Sequence, residues 1–119
     1  MIKSQNTKQY DLEGRTFQFS KDVREFIKKL SRTLSNFEDA KQLVRSSGSV
    51  GANYIEANES LSRKDFLMRI MISRKEAKES EYWLQLIEVS DNLNLERIEL
   101  VNEAIELRKI FGAIIEKSK

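Results

Sequence analysis

The absence of proline from all 119 residues is the feature that most restricts what this chain can fold into. Proline breaks helix interiors, because its ring fixes the backbone and removes an N–H donor. A chain without it can form long helices without interruption. No stretch shows the sustained alternation of apolar and polar residues that is typical of strands. We therefore expect an all-α protein.

Apolar periodicity and capping signals divide the sequence into four helices. From Gly14 to Leu34, apolar residues recur at the spacing of one helical face. Asn36, Ser62 and Asn94 are predicted N-caps, because a side-chain oxygen there can accept a hydrogen bond from the first turn. Long helices with short connections pack as antiparallel neighbours, which predicts an up-down-up-down four-helix bundle. The predicted helices are residues 15–34, 37–60, 63–90 and 95–117.

Composition excludes several classes of function. The sequence has no cysteine for a disulfide framework or zinc finger, and no histidine, the commonest general base and metal ligand. No stretch is long and apolar enough to span a membrane or to serve as a signal peptide. We predict a single cytoplasmic domain over residues 15–119, preceded by a flexible tail over residues 1–14. We expect no cofactor, no metal, no membrane partner and no small-molecule substrate.

Three glutamates come nearest to a catalytic or metal site in this sequence. Glu56, Glu76 and Glu79 fall where adjacent antiparallel helices would face each other. A carboxylate-bridged di-metal site in a bundle uses Glu-x-x-His twice, and this chain has no histidine. Arg74, Lys75 and Lys78 lie among the glutamates, so we predict ordinary ion pairs and no enzyme activity.

The run GSVGAN, residues 48–53, has two interpretations. It matches the GxxG loop of KH domains, which clamps a nucleotide backbone, and it is also rich in glycine like a phosphate-binding loop. A KH domain needs a sheet, however, and a Walker loop needs Lys and Ser or Thr where this chain has Ala52 and Asn53. On a helical wheel, Ser47 and Gly51 lie on one apolar side. We predict a continuous helix whose small inward face lets a neighbouring helix approach closely.

The third predicted helix carries two apolar faces. Phe66, Ile70 and Leu84 lie on one face, and a second set lies roughly opposite. A helix in an isolated bundle needs only one buried stripe, and Tyr and Trp are typical interface anchors. The second face therefore predicts self-association, with the alternative that Trp83 completes the bundle core. The predicted oligomer interface consists of Met68, Ile72, Tyr82, Trp83 and Leu86.

The first predicted helix carries a cationic face. Residues 15–35 contain six cationic and two acidic side chains, whereas the net charge of the whole chain is only +2. Such a strip attracts nucleic-acid phosphates, and a ring of subunits would repeat it and raise the avidity. The alternative is a solvated helix surface without a ligand. The candidate nucleic-acid contacts are Lys21, Arg24, Lys28, Lys29 and Arg32.

Two longer runs carry a family resemblance. QLVRSSGSVGANYIEANES and SRKDFLMRIMISRKEAKESEYWLQL resemble the four-helix-bundle proteins encoded in intervening sequences of bacterial 23S ribosomal RNA genes. The opening DLEGRTFQFSKDVREFIKKL fits the same pattern, so the resemblance covers nearly the whole chain from Asp11 onward. This chain departs from the pattern at Ser31, where relatives often have proline.

The resemblance implies a homo-oligomer, typically a pentamer of bundles around an axis. The family is also similar to the accessory variability proteins of diversity-generating retroelements, which form pentameric barrels that bind nucleic acid and a reverse transcriptase. It has no accepted catalytic residues. Two functions stay open: a non-catalytic, ring-forming binder of RNA or an RNA–protein assembly, and a purely structural protein–protein adaptor with no nucleic-acid ligand.

Overall fold

A computed structural model describes residues 11–119, which form four helices and no strand. The helices are α1 (Leu12–Ile27), α2 (Leu34–Asn58), α3 (Arg63–Leu86) and α4 (Asn94–Ser118), the last preceded by a 3₁₀ turn at Asp91–Leu93. Helices α2 and α3, and α3 and α4, share the most extensive interfaces, and α1 closes the bundle against α2 and α4. The predicted all-α four-helix bundle is confirmed.

The start of α1 lies earlier than predicted. Asp11 is its N-cap and accepts a hydrogen bond from the backbone N–H of Gly14 at 2.8 Å. Residues 11–14, assigned from sequence to the flexible tail, therefore form the cap and first turn of a helix. The rest of that predicted tail, residues 1–10, lies outside the described residues.

Of the three predicted N-caps, one is confirmed and two are wrong. Ser62 caps α3 as predicted, accepting a backbone N–H of the first turn at 3.1 Å. The predicted cap Asn94 is wrong, because α4 continues from the 3₁₀ turn with Leu93 in the cap position and no side-chain bond. The predicted cap Asn36 is also wrong. Thr33 caps α2 instead and accepts the backbone N–H of Asn36 at 3.2 Å.

Asn36 is buried and joins the two connections at one end of the bundle. Its side-chain amide donates to the carbonyl oxygens of Ser31 and Glu88, both at 3.1 Å. Its side-chain oxygen accepts the backbone N–H of Glu88 at 3.1 Å. These bonds tie the α1–α2 connection to the chain that leaves α3.

Serine side chains line the contact between α2 and α3. The hydroxyls of Ser46 and Ser80 lie 2.9 Å apart, and the hydroxyl of Ser73 donates to the carbonyl oxygen of Val50 at 2.9 Å. All three serines are fully buried. Their hydrogen bonds offset the cost of removing hydroxyls from water, and their small size lets the two helices approach closely.

The run GSVGAN is helical throughout, as predicted. It lies inside α2, and no glycine among the described residues has a positive φ angle. A Cβ atom added at Gly51 would lie 2.9 Å from the hydroxyl oxygen of Thr16 on α1. The neighbour that approaches closely is therefore α1, and the phosphate-loop interpretation is wrong.

Candidate interaction surfaces

The cationic strip predicted for the first helix is exposed but is not confined to one helix. Because α1 ends at Ile27, the strip continues into the α1–α2 connection, and the prediction that a single helical face extends to Arg32 is wrong. The side chains of the strip are all exposed. We keep the name cationic strip for Lys21, Arg24, Lys28, Lys29 and Arg32.

Two members of the cationic strip form exposed ion pairs. The ammonium nitrogen of Lys28 lies 2.9 Å from a carboxylate oxygen of Glu25, and its hydrogen bond and positive charge lower the pKa of Glu25. Lys29 pairs with Glu96 of α4 at 3.0 Å. Exposed ion pairs contribute little to stability because water screens their charges, so phosphate groups can compete for these lysines.

The remaining three members have no carboxylate partner among residues 11–119. Arg24 donates to the carbonyl oxygen of Ser20 at 3.1 Å and also to its hydroxyl. The ammonium nitrogen of Lys21 lies 5.9 Å from the ring centroid of Phe17, which is 64% exposed. An exposed aromatic ring therefore lies beside the cationic strip, although sequence reasoning had not assigned it to the strip.

Only part of the second apolar face of α3 points away from the bundle. Met68, Tyr82 and Leu86 of the predicted interface are about half exposed, at 52%, 57% and 49%. Ile72 and Trp83 are partly buried, and Trp83 packs against the core. The outward residues of α3, spaced three or four apart, form what we call the outer stripe. It consists of Lys64, Met68, Met71, Lys75, Lys78, Tyr82 and Leu86.

The three candidate glutamates do not converge. Arg45 on α2 donates to the buried carboxylate of Glu76 at 3.2 Å and to that of Glu79 at 2.8 Å. The hydrogen bond to Glu76 raises the pKa of Arg45. Glu56 is exposed and is not part of this group. The ion pairs therefore form with Arg45 and not with the neighbouring cations of α3 that the sequence suggested.

Sequence reasoning missed a large groove between α1 and α4. The volume of the groove is about 1000 Å³. An ion pair between Arg15 of α1 and Glu103 of α4, 2.7 Å apart, connects the two helices. Leu95, which is 68% exposed, is part of its lining. The sequence signal for this groove is the helical spacing of acidic residues in the segments that form α1 and α4. The acidic residues that line the groove are Asp11, Asp22, Glu25, Glu96, Glu99 and Glu103.

The described residues contain neither a metal-binding cluster nor a helix suited to crossing a membrane. Among residues 11–119, no cluster of three or more His, Cys, Asp or Glu side chains has a geometry that could hold a metal ion. In the same part of the chain, no helix combines the length and the apolar character that a membrane crossing requires.

Comparison with known proteins identifies the family of the chain. The family model for the 23S rRNA-intervening sequence protein matches residues 8–113. The chain is also similar to a crystal structure of a protein of unknown function from the S23 ribosomal protein family of Bacteroides thetaiotaomicron VPI-5482. The TM-score is 0.76 and the identity 30%, over 87% of this chain and 94% of that one. No curated protein matches. The chain belongs to the family of 23S rRNA-intervening sequence proteins.

Proposed function

We propose that this protein is a non-catalytic, oligomeric four-helix bundle that binds RNA, alone or within an RNA–protein assembly, through the cationic strip. The observation that carries the proposal is the cluster of five exposed cations at the end of α1 and in the following connection. Three of them lack a carboxylate partner among residues 11–119. The name of the structural neighbour's family, S23 ribosomal protein, is consistent with an RNA ligand.

Phe17 favours single-stranded RNA as the ligand. Its ring is 64% exposed and lies beneath Lys21. Proteins that bind single strands combine cations that follow the phosphates with aromatic rings on which bases stack. A stacked base contributes about 1–3 kcal/mol, which compensates in part for the small net charge of +2.

Self-association strengthens the proposed binding. The outer stripe leaves Met68, Tyr82 and Leu86 about half exposed, and large apolar side chains grouped on one surface are typical of protein interfaces. A ring repeats the cationic strip once per subunit, so several weak contacts act on one RNA. Five subunits is the number that the family resemblance implies.

Charge reversal in the cationic strip tests RNA binding. Fluorescence anisotropy with a labelled single-stranded RNA measures affinity at increasing salt concentrations. We expect the Lys21→Glu/Arg24→Glu/Lys28→Glu variant to bind much more weakly, with a salt slope that is smaller by about 2, because each lost phosphate contact removes roughly 0.7. The matched control reverses three exposed lysines of α4, Lys109, Lys117 and Lys119. Equal losses in the two variants would contradict the proposal.

The second candidate function is a protein–protein adaptor without a nucleic-acid ligand. The acidic groove between α1 and α4 favours it, because carboxylates repel phosphates and attract cationic protein surfaces. Light scattering on protein purified from cells, with and without RNase treatment, separates the candidates. Nucleic acid that co-purifies and is lost on RNase treatment supports RNA binding, whereas a preparation without nucleic acid supports the adaptor.

A further inference from the structure

The outer stripe of α3 combines apolar and cationic side chains on one exposed line. Met68 and Met71 are 52% and 56% exposed. Lys64, Lys75 and Lys78 are exposed, and none has a carboxylate partner among residues 11–119. The buried face of α3 lies on the opposite side, so the bundle itself leaves the stripe uncovered.

The α1–α4 groove has complementary properties. Its walls carry six carboxylates, of which Asp11, Asp22 and Glu99 have no cationic partner within the described part of the chain. Leu95 exposes an apolar surface in the same lining. The groove follows the whole of α1, whose 16 residues extend about 24 Å. The part of the outer stripe that carries its lysines, from Lys64 to Lys78, extends about 21 Å and matches the groove in length as well as in charge, and the stripe continues beyond it to Leu86.

We propose that the outer stripe of one subunit docks into the α1–α4 groove of another. This inference rests on the self-association in the proposed function and names the two surfaces that form the contact. The lysines of the stripe pair with the groove carboxylates, and Met68 and Met71 cover Leu95. Because stripe and groove are different surfaces, each docked pair leaves one free stripe and one free groove. Such a heterologous contact continues from subunit to subunit and closes into a ring when the rotation allows it.

Electrostatics disfavours the symmetric alternatives. A two-fold contact between two outer stripes would bring the lysines of one subunit against the lysines of the other. A contact between two grooves would oppose two sets of carboxylates. Like charges at an interface are unfavourable and suppress wrong partners. The contact between stripe and groove is the one arrangement of these two surfaces that places opposite charges together.

A charge swap tests the inference. The groove variant is Asp22→Lys/Glu99→Lys and the stripe variant is Lys75→Glu/Lys78→Glu. All four side chains are exposed and none belongs to the cationic strip, so folding and RNA contacts are preserved. Sedimentation velocity measures association, and circular dichroism verifies the fold. We expect each variant alone to associate about tenfold or more weakly than wild type. An equimolar mixture should associate again, because every contact between unlike variants pairs opposite charges. A ring with an odd number of subunits keeps at least one contact between like variants, so the expected readout is renewed association and not the full wild-type mass.

Three results separate the outcomes. Two control variants, Glu56→Lys/Glu88→Lys and Lys109→Glu/Lys117→Glu, change the same charges at exposed sites elsewhere and should assemble as wild type does. A groove variant that assembles normally overturns the inference while leaving the proposed self-association intact, as does a mixture that stays dissociated. A wild-type chain that stays monomeric overturns the proposed self-association itself.

Discussion

Replacing Gly51 with alanine tests the close packing of α1 against α2. A new methyl group would lie 2.9 Å from the hydroxyl oxygen and 3.2 Å from the Cβ of Thr16. Thr16 is 1% exposed, and its hydroxyl donates to the carbonyl oxygen of Glu13 at 3.0 Å, so its side chain has little room to rotate. Alanine stabilises a helix interior by about 0.5–1 kcal/mol relative to glycine. Overpacking costs about 1–3 kcal/mol. We expect a net loss of about 1 kcal/mol in the free energy of unfolding.

Gly112→Ala is the matched control. A Cβ atom at Gly112 in α4 has no neighbour within 4 Å, so the helical gain of about 0.5–1 kcal/mol should appear without a packing cost. Urea unfolding followed by circular dichroism, at one protein concentration, measures both variants. Adding Thr16→Ala to Gly51→Ala removes the 2.9 Å contact with the hydroxyl oxygen and keeps the 3.2 Å contact with the Cβ, so a double-mutant cycle should give a coupling of up to about 1 kcal/mol. If Gly51→Ala stabilises the protein as much as Gly112→Ala does, the close approach is refuted.

Two further substitutions test contacts that hold the bundle together. Arg45→Ala leaves the buried carboxylate of Glu76 without its cation. Because Arg45 itself is half exposed, we expect the free energy of unfolding, measured in urea, to fall by about 1–2 kcal/mol. A loss of less than about 0.5 kcal/mol, which is usual for a surface substitution, would contradict this. Asn36→Ala removes one hydrogen bond to Ser31 in the α1–α2 connection and two to Glu88 in the connection after α3, and the expected loss is about 2–3 kcal/mol. The control Ser35→Ala changes the exposed neighbour in the same turn and should cost less than about 0.5 kcal/mol. Equal effects of the two alanines would show that Asn36 does not join the connections.

Local sequence signals predicted a helix start correctly where the hydrogen bonds of the capping side chain were also local. Ser62 caps α3 because its partner lies three residues away. Asn36 was mistaken for a cap because its bonds to Glu88 join segments far apart in the sequence, and Thr33 provided an equally good cap nearby. The end of α1 was placed too late because the apolar spacing continues to Leu34, a side chain that the structure leaves 79% exposed.

The same difference between local and long-range sequence signals applies to the candidate surfaces. The outer stripe could be predicted from sequence, because all its members lie on one helix and repeat at three- and four-residue intervals. The α1–α4 groove could not, since its carboxylates come from opposite ends of the chain and each half alone looks like an ordinary solvated helix. The partner of Glu76 was missed for the same reason, because Arg45 reaches it from the preceding helix.

The solution mass of the RNase-treated full chain tests most directly the claim that subunits assemble and repeat the cationic strip. Size-exclusion chromatography coupled to light scattering measures it without reference to shape. We predict one species with several times the mass of a single chain, which dissociates as salt screens the contacts between stripe and groove. A mass equal to one chain at low salt, unchanged as the protein concentration rises, would contradict the account.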